Sequence, residues 1–406
     1  MNNKLTCLIT TLCLSASLPL YADNENYDGQ DVSGEDFSGG SYKNSSWVGV
    51  SAIGTVFSDY HTTRKTSNYS DANFSNADLS DSSFDGANLK NVNFTNANLS
   101  GANLEGYNLS DTQLRSAANI TKIKLTGYSL INFNLSELNL SGSDLSFADV
   151  QNTDFTNTNL SGSDLANVKD LTDTQLRSAS DISRVIFGSP NFSNFDLSGL
   201  NLYVCNFGIG SRLIKTNFSN ANLRSSAIYE SSVQNANFTN ADASHVWFTR
   251  SNVQGANFTN ANLSSANFES TNVKNADFTN ANLSDVDFRN VKNLTDSQLR
   301  SASDITNIRF SDLTDFDLSG LNLTGADFYF YSSVLKRVNL SNANLTDAWW
   351  ASRVSLIGVD LRGAIVKSSG NSGHVSNILS VKTQNTIWTD GEIKNFAMES
   401  VDDSLT

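Results

Sequence analysis

Proline is almost missing from this chain, with two residues in 406. A backbone bonded to neighbours on both sides has little room for a residue that lacks a donor, so the scarcity favours continuous β-stacking. Charge is also sparse, at 17% of residues, and Asn, Ser and Thr carry the polarity instead. Positive charge is the minor sign: 27 Lys and Arg stand against 41 Asp and Glu, a net of −14. That balance argues against direct nucleic-acid binding, which needs clustered bases for phosphate. His61, His245 and His374 lie far apart, and no H-E-x-x-H, paired cysteines or Gly-rich phosphate loop occurs. The chain therefore offers no catalytic set, no cofactor site and no metal site. The Asp and Asn ladders are unlike the nine-residue, Gly-rich repeat that binds calcium.

Only one long apolar run is present. It extends from Leu5 to about Leu20, after the lone charge of Lys4 and before Tyr21-Ala22-Asp23. This reads as an export signal over residues 1–22, with Ala22 in the small-residue position before cleavage. Cleavage would remove Lys4, Cys7 and Cys13. The mature chain would then be periplasmic or extracellular, without a membrane span, and would keep one thiol, Cys205, with no disulfide to form.

What is abundant is a five-residue period. Phe218, Phe238, Phe258 and Phe278 form one column at twenty-residue spacing, and Ile228, Phe248, Phe268 and Phe288 form another. Val233, Val253 and Val273 form a third, and Leu223, Leu263 and Leu283 a fourth. Twenty is four fives, so the spacing predicts a four-sided coil. Within each quintet, A-(N/D)-(L/F)-(S/T)-x, the Leu or Phe is the centre. In a strand the residue two before the centre points to the same side, so both face inward and the other three face out. A period of five needs a bend in every quintet, and the Asn or Asp before the centre suits it. Each buried centre is worth roughly 1.5–3 kcal/mol of transfer free energy. About 45 quintets give about 11 coils stacked at the ordinary strand spacing of about 4.8 Å.

The expected organisation is a signal over 1–22, an N-terminal cap with worn repeats over 23–70, the repeat coil over 71–366 and a C-terminal cap or tail over 367–406. Three similar segments break the rhythm: Ser110–Ala117, Thr172–Ala179 and Thr295–Ala302. Each opens with Ser or Thr followed three residues later by Gln, the capping-box spacing, and predicts a short protruding helix of two turns.

Runs such as Ala72-Asn-Phe-Ser-Asn-Ala-Asp-Leu-Ser80 and Ala256-Asn-Phe-Thr-Asn-Ala-Asn-Leu-Ser264 resemble the pentapeptide-repeat family. The resemblance covers about residues 28–366. It implies an all-β fold, the right-handed quadrilateral β-helix, here with three short helical insertions and a C-terminal cap. It says little of function, because the matched residues are structural. One subset of the family mimics duplex DNA and acts on DNA gyrase. This chain shares the acidity of that subset and differs in its export signal.

Two outward clusters are candidates for partner binding. Trp247 precedes the centre Phe248, Tyr229 lies one coil away, and His245 and Arg250 flank them. Tyr329, Phe330, Tyr331 and Trp349 form the second, with Lys336, Arg337 and Arg353 nearby; it reads as packing under a terminal cover that includes Trp388. The leading expectation is an exported, non-enzymatic scaffold for a protein or glycan partner. The alternatives are a DNA-mimicking regulator of a topoisomerase such as DNA gyrase, and adhesion to ice or polysaccharide through the Ser/Thr column at Thr239, Thr259 and Thr279.

Overall fold

A computed structural model of the chain describes residues 23–58, 66–328, 333–350, 354–367, 382–389 and 393–394. The chain divides into two compact units, Met1–Leu125 and Thr126–Thr406. Both are built from the same quintet.

In the regular runs, the residue before each centre forms a parallel bridge to the residue twenty positions on. Asn217 pairs with Asn237, Asn237 with Asn257 and Asn257 with Asp277. Bridges recur every five residues, so each twenty-residue coil carries four of them. The centres and the small residues two before them are buried, as alternation requires: Phe258, Ala256, Leu263 and Ala261 are all fully enclosed. Phe218, Phe238, Phe258 and Phe278 stack with centroids 5.0, 4.8 and 5.3 Å apart. In the first unit the stack is richer in aromatics. Tyr27 lies 3.9 Å from Trp47, and Trp47 lies 5.3 Å from Phe74. Regular bridging begins at Asn26, so the worn repeats before residue 70 are coils in their own right.

The bend differs from expectation in its position. The Asn or Asp before the centre lies on the bridge. The left-handed residue comes two places after the centre, as at Asn76, Asn240 and Asn260, each with φ 58°. The bridging residue drives the bend through its side chain. Asn257 Oδ1 accepts the amide of Thr259 at 2.9 Å, and Asp277 Oδ1 accepts that of Thr279 at 2.9 Å. The centre's carbonyl then accepts from the amide three residues on, closing the turn, as in Ala261 to Phe258 at 2.9 Å. Asn also joins successive coils: Asn237 Nδ2 donates to Asn217 Oδ1 at 3.1 Å.

The three interruptions are six-residue helices, α1 (Asp111–Ser116), α2 (Asp173–Ser178) and α3 (Asp296–Ser301), each with a complete capping box. They do more than protrude. Leu114, Leu176 and Leu299 are buried, so each helix supplies a centre to the core. The capping glutamines reach the preceding coil. Gln298 Nε2 donates to the carbonyls of Val273 and Ala276 at 2.9 and 2.8 Å, and Gln175 Nε2 to those of Val150 and Thr153 at 2.8 and 2.9 Å.

Short strands appear late in the second unit. β1 (Leu313–Thr314), β2 (Val334–Lys336), β3 (Ser355–Ile357) and β4 (Lys382–Gln384) form one parallel sheet in that order. β5 (Thr386–Ile387) pairs antiparallel with β6 (Ile393–Lys394). Ile387 also bridges Asp360, which puts buried Trp388 in the centre position one coil beyond Leu361.

Candidate functional site

Most of the outer wall is amide and hydroxyl, so departures from that composition locate candidate sites. In the second unit the bridges form continuous ladders. One of them runs Asp164, Ile186, Asn206, Ala227, Trp247, Asn267, Asp287, Arg309, Asp327, Trp349. The same register on the ladder Asn201, Asn222, Asp242, Asn262, Asn282 holds only Asn and Asp. The Trp247 ladder is therefore chemically distinct.

The structure brings Tyr229 and Trp247 together, with ring centroids 5.9 Å apart and a tilt of 56°. Trp247 is 47% exposed, because its place before a centre turns it outward while Phe248 fills the core. His245 and Arg250 occupy left-handed corner positions on either side, both with φ 59°. Arg250 is committed to Glu230 on the adjacent coil, 3.1 Å away. Below the pair, Ala227 and Gly208 keep the wall low, and Ile186 and Ile209 are exposed beyond them. Ile209 stands out on a six-residue step, Phe207 to Arg212, flanked by Gly208 (φ 72°) and Gly210 (φ 81°). A Cβ at Gly208 would come within 2.5 Å of the Ser189 amide nitrogen, so the step needs glycine there.

Farther along, the ladder becomes an ion-pair wall. Asp287, itself buried, holds Arg289 through two oxygens, at 2.8 and 2.5 Å. That hydrogen bonding raises the Arg289 pKa. Of the second cluster, Tyr329, Phe330, Tyr331 and Arg353 lie outside the described residues. Trp349 bridges Asp327 at the far end of the ladder and is half-buried, while the adjacent Trp350 stacks on Phe328 at 4.5 Å. Arg337 pairs with Asp315 at 2.5 Å. His61 and His374 also lie outside the described residues.

The Thr column is already engaged within the protein. Thr239 Oγ1 donates to Asn237 at 2.6 Å, and Thr259 and Thr279 both donate to Asp277, at 3.3 and 2.6 Å. Cys205 is buried and donates to the Ile182 carbonyl at 3.2 Å, and burial pushes its pKa up to about 12. Among the described residues no group of three or more His, Cys, Asp or Glu is placed to hold a metal ion, and no helix is long and apolar enough to cross a membrane.

One feature was missed in the sequence. On the ladder Asn191, Arg212, Ser232, Asn252, Asn272, Lys292, the quintets contain no acidic residue from Pro190 to Asn293. They contain Arg212, Lys215, Lys274 and Lys292, all exposed. The signal was there, as charge sorted by side of the coil. It was readable at twenty-residue spacing, since Arg212, Ser232, Asn252, Asn272 and Lys292 follow one another without interruption.

The family model of pentapeptide repeats matches residues 72–111, 118–157, 144–180, 256–292 and 266–303, and that of a pentapeptide repeat region matches 180–258. Together they span more than half of the chain. The chain belongs to the pentapeptide-repeat proteins. Their fold type is the right-handed β-helix, and the bridging described above is of that kind. Pentapeptide-repeat proteins are in general structural or interaction proteins. Similar solved structures include HetL, a pentapeptide repeat protein involved in heterocyst differentiation regulation from the cyanobacterium Nostoc, at 19% identity, 65% of this chain, 90% of that one and a TM-score of 0.19. QnrB1, a plasmid-mediated fluoroquinolone resistance protein, is 19% identical over 61% of this chain and 92% of its own, with a TM-score of 0.16. A pentapeptide repeat protein from the Arabidopsis thaliana thylakoid lumen is 20% identical over 40% and 65%, with a TM-score of 0.08. No curated protein sequence matches the chain.

Proposed function

We propose that this pentapeptide-repeat protein is an exported, non-enzymatic scaffold that presents its Trp247 ladder to a protein or glycan partner. The observation that carries the reading is the exposed indole of Trp247 against Tyr229, set in a wall of amides and hydroxyls. Such a pair offers apolar area at low cost in side-chain entropy, suited to a sugar face or an apolar side chain. The non-enzymatic part is supported by the interior, which is tiled with Leu, Phe, Val and Ala, and by the inert Cys205 thiol. Export is supported by Lys4, the Leu5–Leu20 run and Ala22. The same reading takes the coil as quadrilateral and the residues after 366 as its C-terminal cap. Buried Thr386 and Trp388 support that assignment.

Two measurements test it. N-terminal sequencing of the native protein is expected to begin at Asp23, and a cytoplasmic chain that keeps Met1 overturns export. On protein and glycan arrays, Trp247→Ala/Tyr229→Ala is expected to weaken partner binding by about tenfold or more with an unchanged melting temperature. Partner binding untouched by the double substitution overturns the assignment of this face.

A further inference from the structure

The acid-free side of the second unit adjoins the Trp247 ladder across the corner that holds Glu230 and Arg250. Two properties set it apart in a chain of net charge −14. The first is segregation. Arg212, Lys215, Lys274 and Lys292 lie on one side, and its quintets from Pro190 to Asn293 hold no Asp or Glu. The second is availability. Several arginines elsewhere in this unit are neutralised at close range, Arg177 by Asp196, Arg250 by Glu230, Arg289 by Asp287 and Arg300 by Asp317, while Arg184 lies over the Tyr203 ring and Arg224 makes no ion pair with a described residue. None of the four bases on the acid-free side makes an ion pair or a side-chain hydrogen bond with a described residue. The nearest corner acid, Glu230, is held by Arg250.

We infer that this side binds an anionic polysaccharide, a chain of carboxylated or sulfated sugars lying along the coils. The inference rests on the scaffold reading and names the chemistry of the partner. Charge complementarity gives the sign of the ligand. Opposing charges on the other sides are screened beyond about 8 Å at physiological ionic strength, so a ligand lying along this side responds mainly to its four bases. Charge spacing gives the class. Arg212 and Lys292 are four coils apart, about 19 Å at about 4.8 Å per step. Four charges over that length suit a polymer with one anion per sugar. They are far too sparse for duplex DNA, with one charge per about 1.7 Å, and a duplex would also meet acidic neighbouring sides. Between the bases the wall is Ser232, Gln234, Asn252 and Gln254, whose planar amides and hydroxyl can exchange hydrogen bonds with sugar hydroxyls. At the corner, Tyr229 and Trp247 provide ring faces.

The test uses the purified full-length chain and three probes: oligogalacturonate, a neutral galactan of equal length, and duplex DNA, each at two salt concentrations. Oligogalacturonate is expected to bind with an affinity that falls as salt rises, and the other two to bind at least about tenfold more weakly. Arg212→Gln/Lys215→Gln/Lys274→Gln/Lys292→Gln should weaken that binding by at least about tenfold. Removing four bases of the first unit (Lys43→Gln/Lys90→Gln/Lys122→Gln/Lys124→Gln) should leave it unchanged. Circular dichroism melting shows whether both variants fold. Should the first variant fail to fold, Lys274→Gln/Lys292→Gln alone is expected to weaken binding measurably. No binding of oligogalacturonate, equal loss in the control variant, or equal affinity for DNA each overturns the inference. Oligogalacturonate binding that is lost in the fourfold variant, in a chain that proves cytoplasmic, supports this site and rejects export, so the two readings fail separately.

Discussion

At the scale of single residues, each position of the quintet answers to a different constraint, and substitutions should report them separately. The residue two before the centre must be small because the four centres fill the coil. Ala256→Leu is expected to cost about 1–3 kcal/mol through overpacking, read by denaturant unfolding; an unchanged midpoint would reject the packing scheme. The residue two after the centre must tolerate positive φ. Most such positions hold Asn, Asp, Ser or Gly, but Val204 sits there with φ 56° and is exposed. A β-branched residue is strained in that region. Val204→Gly should therefore stabilise the fold by about 1 kcal/mol, against the usual direction for a Gly substitution. The inward positions were legible from the five-residue spacing alone. The bend was misplaced by three residues, because Asn before the centre signals a turn that its side chain closes downstream while its own backbone stays on the bridge.

At the scale of elements, the helices show how a local signal can carry a second, non-local role. The capping box in Thr295-Asp-Ser-Gln298 was readable as a helix start. That Gln298 also satisfies the Val273 and Ala276 carbonyls one coil away was not, because those acceptors are more than twenty residues distant. Gln298→Ala is expected to cost about 1–3 kcal/mol, since the Ala276 carbonyl loses its donor while the Val273 carbonyl keeps the Ala276 amide, and this is more than a cap loss alone. Leu299→Ala should cost about 2–5 kcal/mol, since the helix then no longer fills its place in the core. A freely protruding helix would show neither effect in thermal or chemical unfolding.

At the scale of the whole molecule, stability should narrow at both ends of the pH range. Hydrogen bonds hold several aspartates below the ordinary carboxylate range: the Thr279 hydroxyl does so for Asp277, the Ser198 hydroxyl for Asp196 and the Arg362 side chain for Asp360. A depressed folded-state pKa contributes stability that is present above the unfolded value and lost as pH falls, so melting temperature should drop below about pH 4. Burial pushes Tyr42 up to about 12 and Tyr69 well above its ordinary value. That contribution is complete below about pH 10 and lost as pH rises toward 12, so alkaline unfolding should be accompanied by tyrosinate absorbance. A melting temperature flat from pH 3 to 11 would contradict both. By itself the sequence determined the period, the inward residues, the helix starts and the family, because each follows from spacing within a few residues of backbone. Only the tertiary structure decided which outward residues share a side across an interruption. Register across the six-residue step at Gly208–Gly210 and across the three helices sets that, and it is a property of coil-to-coil hydrogen bonds that no local pattern encodes. The exposed Ile186 on the ladder of Trp247 is one product of that register, and the reach of Gln298 to the Val273 and Ala276 carbonyls is another.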